Sequence, residues 1–236
     1  MHRYRRRFGT LLVIAGTAVL AWALLVWAWQ DPFTGLYTRW QQHKLTQRYD
    51  DLYAAYRPQR RSRSTLAAMR QELRGEAARY RKTEHRGDPI GRIRIPRMGI
   101  NMILVNGTDH ETLMKGPGRD LRTFMPGQGE LVYIAGHRTT YLAPFSHIDS
   151  LRRGDQVTLT MPYATFVYAV TGHRIVSADD LSVLKTHHHE ELELQACHPR
   201  FFATHRYIAY AKLLDVRMRG APATIPAAAL AAAVKS

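Results

Sequence analysis

The chain holds a single cysteine, Cys197, among 236 residues. A lone thiol has no intramolecular disulfide partner, which leaves an intermolecular bridge, a passive buried residue or a nucleophile. A thiol of ordinary pKa, about 8.5, becomes a strong nucleophile when a nearby cation or imidazolium favours the thiolate. The stretch Leu194-Gln195-Ala196-Cys197-His198-Pro199-Arg200, followed by Arg206, favours the nucleophile. Cys197 ends a predicted strand, because His198-Pro199 follows it.

The chain has 12 histidines, so a histidine alone is almost no signal. His198 adjoins Cys197, but successive strand side chains point to opposite faces, which places it badly to serve the thiol. His187-His188-His189 reads as a polar loop rather than a metal site, since no cysteine or carboxylate cluster completes a ligand set. His137 is better placed: it follows the strand Tyr133-Ile134-Ala135 and a glycine, and so also sits at a strand end. Arg206 comes nine residues after Cys197, across a turn containing Pro199. A hairpin there can return its guanidinium to the thiol, where it would favour thiolate and hold an oxyanion. One surface arginine among many is the other reading of it.

These residues need strands to bring them together. Gly91-Arg-Ile-Arg-Ile-Pro96 alternates polar and apolar residues with the period of a half-buried strand. Residues 131–135, 158–161, 166–170, 192–196 and 207–214 also read as strands. Turn signals separate them at Gly107, Gly116-Pro117-Gly118, Pro126-Gly127-Gln128-Gly129, Gly154-Asp155 and Gly172. Many short strands so punctuated predict an all-β domain, closed or sandwiched, at residues 88–219. Short helices are expected near residues 110–115 and 144–151.

The start of the chain sets the compartment. Residues 10–29 are uncharged and apolar enough to cross a hydrocarbon core of about 30 Å. Arg3, Arg5, Arg6 and Arg7 in the basic segment 1–9 keep the N-terminus cytoplasmic, so the rest lies outside. The bulky end Val26-Trp27-Ala28-Trp29 argues for an uncleaved anchor over a signal peptide. Residues 30–87 read as a basic helical stalk with two apolar stripes. Leu36, Trp40, Leu45, Tyr49, Leu52, Tyr53 and Tyr56 form the first; Leu66, Met69, Leu73, Ala77 and Tyr80 form the second. Pro58, Ser62 and Ser64 mark the break between them. Such helices fit a spacer, or a pair folded against the domain or the bilayer. Asp31-Pro32-Phe33 reads as the turn ending the span, and the Ala/Pro-rich tail 220–236 as disordered. The net charge of +15 suits anionic headgroups or acidic wall polymers outside a membrane, rather than nucleic acid.

From about Asp88 to Leu214 the chain resembles the sortases, membrane-anchored cysteine transpeptidases of Gram-positive envelopes. The resemblance rests on Pro89-Ile-Gly-Arg-Ile-Arg-Ile-Pro96, Gly107-Thr108, Gly116-Pro-Gly118 and Ile134-Ala-Gly-His-Arg-Thr-Thr-Tyr141. It continues through Ala143-Pro144-Phe145, Leu151, Gly154-Asp155 and Cys197-His-Pro-Arg200 with Arg206. It implies a closed eight-stranded β-barrel with Cys197 as nucleophile, His137 as general acid/base and Arg206 stabilising oxyanion and substrate. It implies no cofactor and no metal. The expected partners are secreted proteins with a C-terminal Leu-Pro-x-Thr-Gly or Leu-Ala-x-Thr-Gly signal, and a peptidoglycan-precursor amine. The Arg/Ala-rich chain is most similar to class E, with classes D and F close. A thiol hydrolase on the same barrel and a non-catalytic envelope-binding module are the alternatives. Sortases usually carry threonine just before the cysteine; here Ala196 stands there, preceded by Gln195.

Overall fold

The computed structural model describes residues 2–29, 32–58, 65–221 and 224–232. The sequence-predicted break at Ser62 and Ser64, and Asp31 of the predicted turn, lie outside them.

Nine strands form one sheet: β1 (Pro89–Ile95), β2 (Ile100–Asn106), β3 (Gly118–Arg119), β4 (Leu131–Ala135), β5 (Gln156–Thr160), β6 (Ala164–Ser177), β7 (Glu191–His198), β8 (His205–Met218) and β9 (Ile225–Pro226). Their order is β6-β5-β1-β2-β3-β4-β7-β8-β9, and β6 also pairs with β8. That last pairing closes β1 to β8 into an eight-stranded barrel, leaving β9 as a short addition outside β8. Closure removes the free edges that an open sheet would expose. The interior is filled by alternate side chains, including Ile93, Val132, Ile134, Phe166, Leu192, Leu194 and Ala209.

Three longer helices precede the barrel: α1 (His2–Trp29), α2 (Pro32–Ala55) and α3 (Leu66–Thr83). In α1 the window Arg7–Leu24 has a mean hydropathy of 1.7, is wholly unburied by the protein, and is long and apolar enough to cross a membrane. Pro32 and Phe33 open α2 rather than sitting in a turn, which suits proline's fixed φ and missing N–H in a first helical turn.

Helices α2 and α3 fold against the barrel. In α3, Leu73, Ala77 and Tyr80 join the main core, and the Tyr80 hydroxyl donates to the Ile90 carbonyl at 3.0 Å. The first stripe docks differently from its apolar pattern: Leu36 and Trp40 stay 67% and 51% exposed, while Thr38, Leu45 and Tyr49 are buried. Leu45 and Tyr49 pack on Ile103 and Val105, and polar side chains share the contact. Gln42 accepts from the Ile103 N–H at 2.7 Å and donates to the Ile103 and Lys115 carbonyls; Thr38 donates to the Met114 carbonyl. Strand β3 meets β2 only at Val105 and Asn106, so the Ile103 backbone is left for Gln42 to satisfy.

The tail departs from the expected disorder over its described residues. Ile225 pairs with Val216 in β9 and is buried, and α5 (Ala227–Ala232) follows it. The physical reason is that one isoleucine finds an apolar seat beside β8, which an Ala/Pro composition alone does not reveal.

Candidate active site

Strand β7 carries Cys197 and lies between β4 and β8. It pairs in parallel with β4, with Ala135 opposite Gln195, and antiparallel with β8, with Cys197 opposite Arg206. The ladder with β4 continues one step, since the Gly136 N–H donates to the Gln195 carbonyl at 3.0 Å. His137 therefore leaves β4 beside the register position of Cys197, where neighbouring strands lie about 4.8 Å apart.

Parity fixes the face. Val132, Ile134, Leu194, Ala196, Tyr207 and Ala209 point into the core. The alternate set, with Tyr133, Val176 and Ile208, forms a separate patch on the outer face, covered in part by Val183, Leu184 and Tyr210. Cys197 and Arg206 belong to this outer set by the strands' two-residue period. The thiol is thus partly exposed outside the barrel wall, at its strand end.

The segment after β4 folds sharply. Tyr141, Leu142 and Ala143 all have positive φ, at 53°, 62° and 40°, and Phe145 returns to donate its N–H to the His137 carbonyl at 3.0 Å. Three consecutive non-glycine residues there hold a costly backbone conformation, of the kind that clusters at functional sites. The Tyr141 N–H donates to Thr34 Oγ1 at 2.9 Å, so the start of α2 braces this loop. Gly136 is required by packing: a Cβ there would lie 2.7 Å from Cδ2 of the buried Phe145 ring. Gly136→Ala is accordingly expected to cost about 1–3 kcal/mol by overpacking and to displace the neighbouring imidazole. Thermal unfolding alongside turnover of a signal peptide checks both effects; unchanged stability and turnover would contradict the packing argument.

The His137 ring lies against Tyr141, with centroids 5.0 Å apart, and 6.3 Å from His110 at the start of α4 (His110–Leu113). Its Nε2 is buried and has no hydrogen-bond partner among the described residues. Burial, then the charge of His110, pushes the imidazole below its ordinary pKa. His137 therefore stands neutral at neutral pH, ready to accept a proton.

Arg138 is a residue that motif reading passes over. It is 3% exposed and joins three elements. Nη1 donates to the Cys197 carbonyl at 3.1 Å and contacts His198 Nδ1 at 2.9 Å, while Nη2 pairs with Asp149 at 2.8 Å. Guanidinium has no acceptor, so His198 Nδ1 must accept and carries no proton. This commits His198 to the scaffold, in keeping with its inward parity. Arg138 thereby ties the residue after His137 to the backbone of Cys197. The pattern that could have exposed it is a cation directly beside a candidate histidine at a strand end.

Arg206 places Nη1 on the Ala203 and His205 carbonyls, at 2.8 and 3.0 Å, across the β7–β8 turn. Its backbone lies opposite Cys197 across the β7–β8 hairpin. His187 and His189 lie by Glu191, at 2.6 and 3.5 Å, and His188 by Glu130 at 3.7 Å. No group of three metal-capable side chains occurs among the described residues.

Fold and site together define a closed-barrel protein bearing a thiol, an imidazole and a guanidinium at adjacent strand ends on its outer wall. The family model for the Sortase domain matches residues 93–214. Sortase D of Bacillus subtilis (strain 168) is 34% identical over 130 residues, covering 53% of this chain and 64% of the relative. The chain thus spans under two thirds of that relative's length. A solved Clostridium perfringens sortase D5 transpeptidase superposes with a TM-score of 0.59 at 24% identity, over 74% of this chain and 98% of that one. Sortase E from Streptomyces avermitilis gives a TM-score of 0.52 at 32% identity, over 58% and 97%. The chain belongs to the sortase family. Similarity to both class D and class E members leaves the family, not the class, as the assignment.

Proposed function

We propose that the chain is a cysteine transpeptidase that cleaves a C-terminal sorting signal of the Leu-Pro-x-Thr-Gly or Leu-Ala-x-Thr-Gly kind. The observation that carries this reading is the register that brings Cys197, His137 and Arg206 to three adjacent strand ends. The Cys197 sulfur attacks the threonine carbonyl while neutral His137 takes the thiol proton. The tetrahedral oxyanion is held by Arg206 and backbone N–H groups. Collapse breaks the Thr–Gly bond, His137 returns its proton to the departing glycine amine, and a thioester to Cys197 remains. An incoming amine, from a peptidoglycan precursor, then attacks the thioester. His137 accepts the amine's proton and gives it to the leaving thiolate, which restores the starting enzyme.

The apolar α1 is read as a single-pass anchor, with the basic segment 1–9 in the cytoplasm and the barrel outside. Tethering enzyme and substrate to one membrane raises their effective concentration, so weak recognition suffices. The boundaries 10–29 for the span and 88–219 for the catalytic barrel follow this reading, with α2 and α3 as a docked collar. Class E, or class D, is the proposed subclass.

Incubating the full chain in detergent micelles with a signal peptide and candidate amines tests the reading, with intact-mass detection of the thioester and the products. The expected result is an amide-linked product when amine is present. Release of free acid alone in both conditions would indicate a thiol hydrolase, and no adduct on Cys197 would remove the enzymatic reading. Arg206→Ala should lower kcat/KM about 10²–10³-fold, the usual cost of losing an oxyanion donor. Arg206→Lys should recover part of it, because charge returns without the planar fork. Equal activity of all three proteins would place the guanidinium outside the reaction.

A further inference from the structure

The β7–β8 turn carries two side chains that the reaction does not use. Phe201 and Phe202 sit at its tip, 62% and 77% exposed, and the Arg200 guanidinium stands 5.8 Å from the Phe201 ring. Phe201 and Ala203 have φ of 72° and 54°, so the turn presents the two rings at some backbone cost. A second exposed apolar pair, Leu36 and Trp40, lies in the first turns of α2, with Lys44 Nζ 3.6 Å from the Trp40 ring centroid. Single exposed apolar side chains are ordinary, but adjacent ones with apolar companions mark a surface that meets something other than water.

Topology brings both pairs to the end of the barrel that carries Cys197. Strands β4 and β7 run in parallel, so the loop holding His137 and the β7–β8 turn leave the barrel at the same end. The start of α2 joins them there, through the Tyr141 N–H on Thr34 Oγ1 and through Gly35, where a Cβ would lie 3.5 Å from Leu142 Cδ2. Helix α1 ends at Trp29, five residues before Thr34, so at most about 18 Å of chain separates the membrane-length helix from this loop. The charge at this end has one sign. Residues 32–49, 136–148 and 198–205 contain no aspartate or glutamate, and Arg39, Lys44 and Arg200 are among their cations. Aromatic rings set among apolar and basic side chains are the composition of a surface that lies in the headgroup region of an anionic membrane.

We propose that the Cys197 end of the barrel docks on the anionic bilayer that α1 spans, with Phe201 and Phe202 inserted among the headgroups and Leu36 and Trp40 as a second contact. Helix α1 then tethers the domain, and the docked turn orients it. Cys197, at the base of that turn, works close to the membrane surface, where a membrane-borne acyl donor and amine both arrive. The inference rests on the reading of α1 as a single-pass anchor and adds a second, peripheral membrane contact to it.

The test uses the full chain carrying Cys197→Ala with either Phe202→Cys or His189→Cys, each labelled with an environment-sensitive dye. His189 is exposed and precedes β7, so it marks the opposite end of the barrel. Both proteins are reconstituted into vesicles of phosphatidylcholine and phosphatidylglycerol that contain a nitroxide-labelled lipid as quencher. The dye at position 202 should shift to the blue and be quenched, and the dye at 189 should do neither. Adding Leu36→Ser, Trp40→Ser and Phe201→Ser should abolish the quenching at 202 while the chain stays with the vesicles through α1. Equal signals at the two positions, or quenching at 202 that survives the three serines, would overturn the docking and leave the anchor intact. A blue shift at 202 without quenching, seen only at high protein-to-lipid ratio, would assign the surface to a second copy of the chain and equally overturn it. Release of the chain from the vesicles by an alkaline wash would remove the anchor reading and the inference together.

Discussion

Cys197→Ala is expected to fold normally and to show no measurable thioester capture or transfer. The thiol sits at a strand end, partly exposed, outside the apolar clusters that hold the barrel together. Its replacement removes one sulfur and opens no core cavity, so stability should stay within about 0.5 kcal/mol, as for surface substitutions. Chemistry should fail completely, because no other thiol exists in the chain to carry the acyl group. Circular dichroism and thermal unfolding report the first half, and intact mass after incubation with a signal peptide reports the second. The same protein separates the competing views of this residue. A packed, passive cysteine would resist alkylation near neutral pH, and its loss would leave peptide cleavage unchanged. Cleavage of the signal peptide by Cys197→Ala would end the nucleophile assignment.

Much of this candidate site is legible in the sequence because residues at strand ends leave local signatures. Proline after Cys197 marks a strand end, the strand and glycine before His137 mark another, and a nine-residue spacing returns Arg206 across a hairpin. What stayed hidden depends on tertiary register. Arg138 looks like one more basic residue until β4 and β7 are seen to run in parallel, which brings its guanidinium to the Cys197 carbonyl. His110 is remote in sequence and reaches the His137 ring only because α4 packs beside the loop. Glu193 reads as the polar half of an ordinary alternating strand, yet it is 1% exposed.

The same distinction runs through the fold. Strands β1, β4, β5 and β7 match alternating or compact apolar runs, whereas β6 and β8 extend further than their apolar patterns. In β6 the pattern stops at Gly172, yet the strand continues to Ser177 with a register shift between Val170 and Gly172. A bulge there leaves Thr171 out of the register, while Gly172 stays paired with Tyr210, so the long strand bends without ending. Strand β3 has only two residues and no pattern to read. The helical collar is legible as two helices, with docking on the domain only one of the options, since part of its contact is made by Thr38 and Gln42. Polar side chains that satisfy a strand's backbone carry no hydrophobic period.

His137 gives the second large effect, and its pH dependence is the sharper test. Replacing it with glutamine should lower kcat/KM by about 10²–10⁴-fold, the usual contribution of a positioned acid/base. Because burial and then His110 depress the imidazole, the wild-type profile should rise through an acid limb below pH about 6.5, the ordinary histidine value. The sign follows from the role: below the depressed pKa the imidazole is already protonated and cannot accept from the thiol. His137→Gln should lose that limb along with most of the rate. His110→Ala should move the limb upward, because it removes a neighbouring charge that disfavours the imidazolium, while the rate on the plateau changes little. The same depression has a folding consequence of matching sign. The unfolded chain binds the proton more readily, so the neutral-ring contribution is complete above the ordinary value and falls as pH drops towards the folded one. A limb that persists in His137→Gln would assign the proton transfer to another group, and a limb unmoved in His110→Ala would remove the coupling between the two rings.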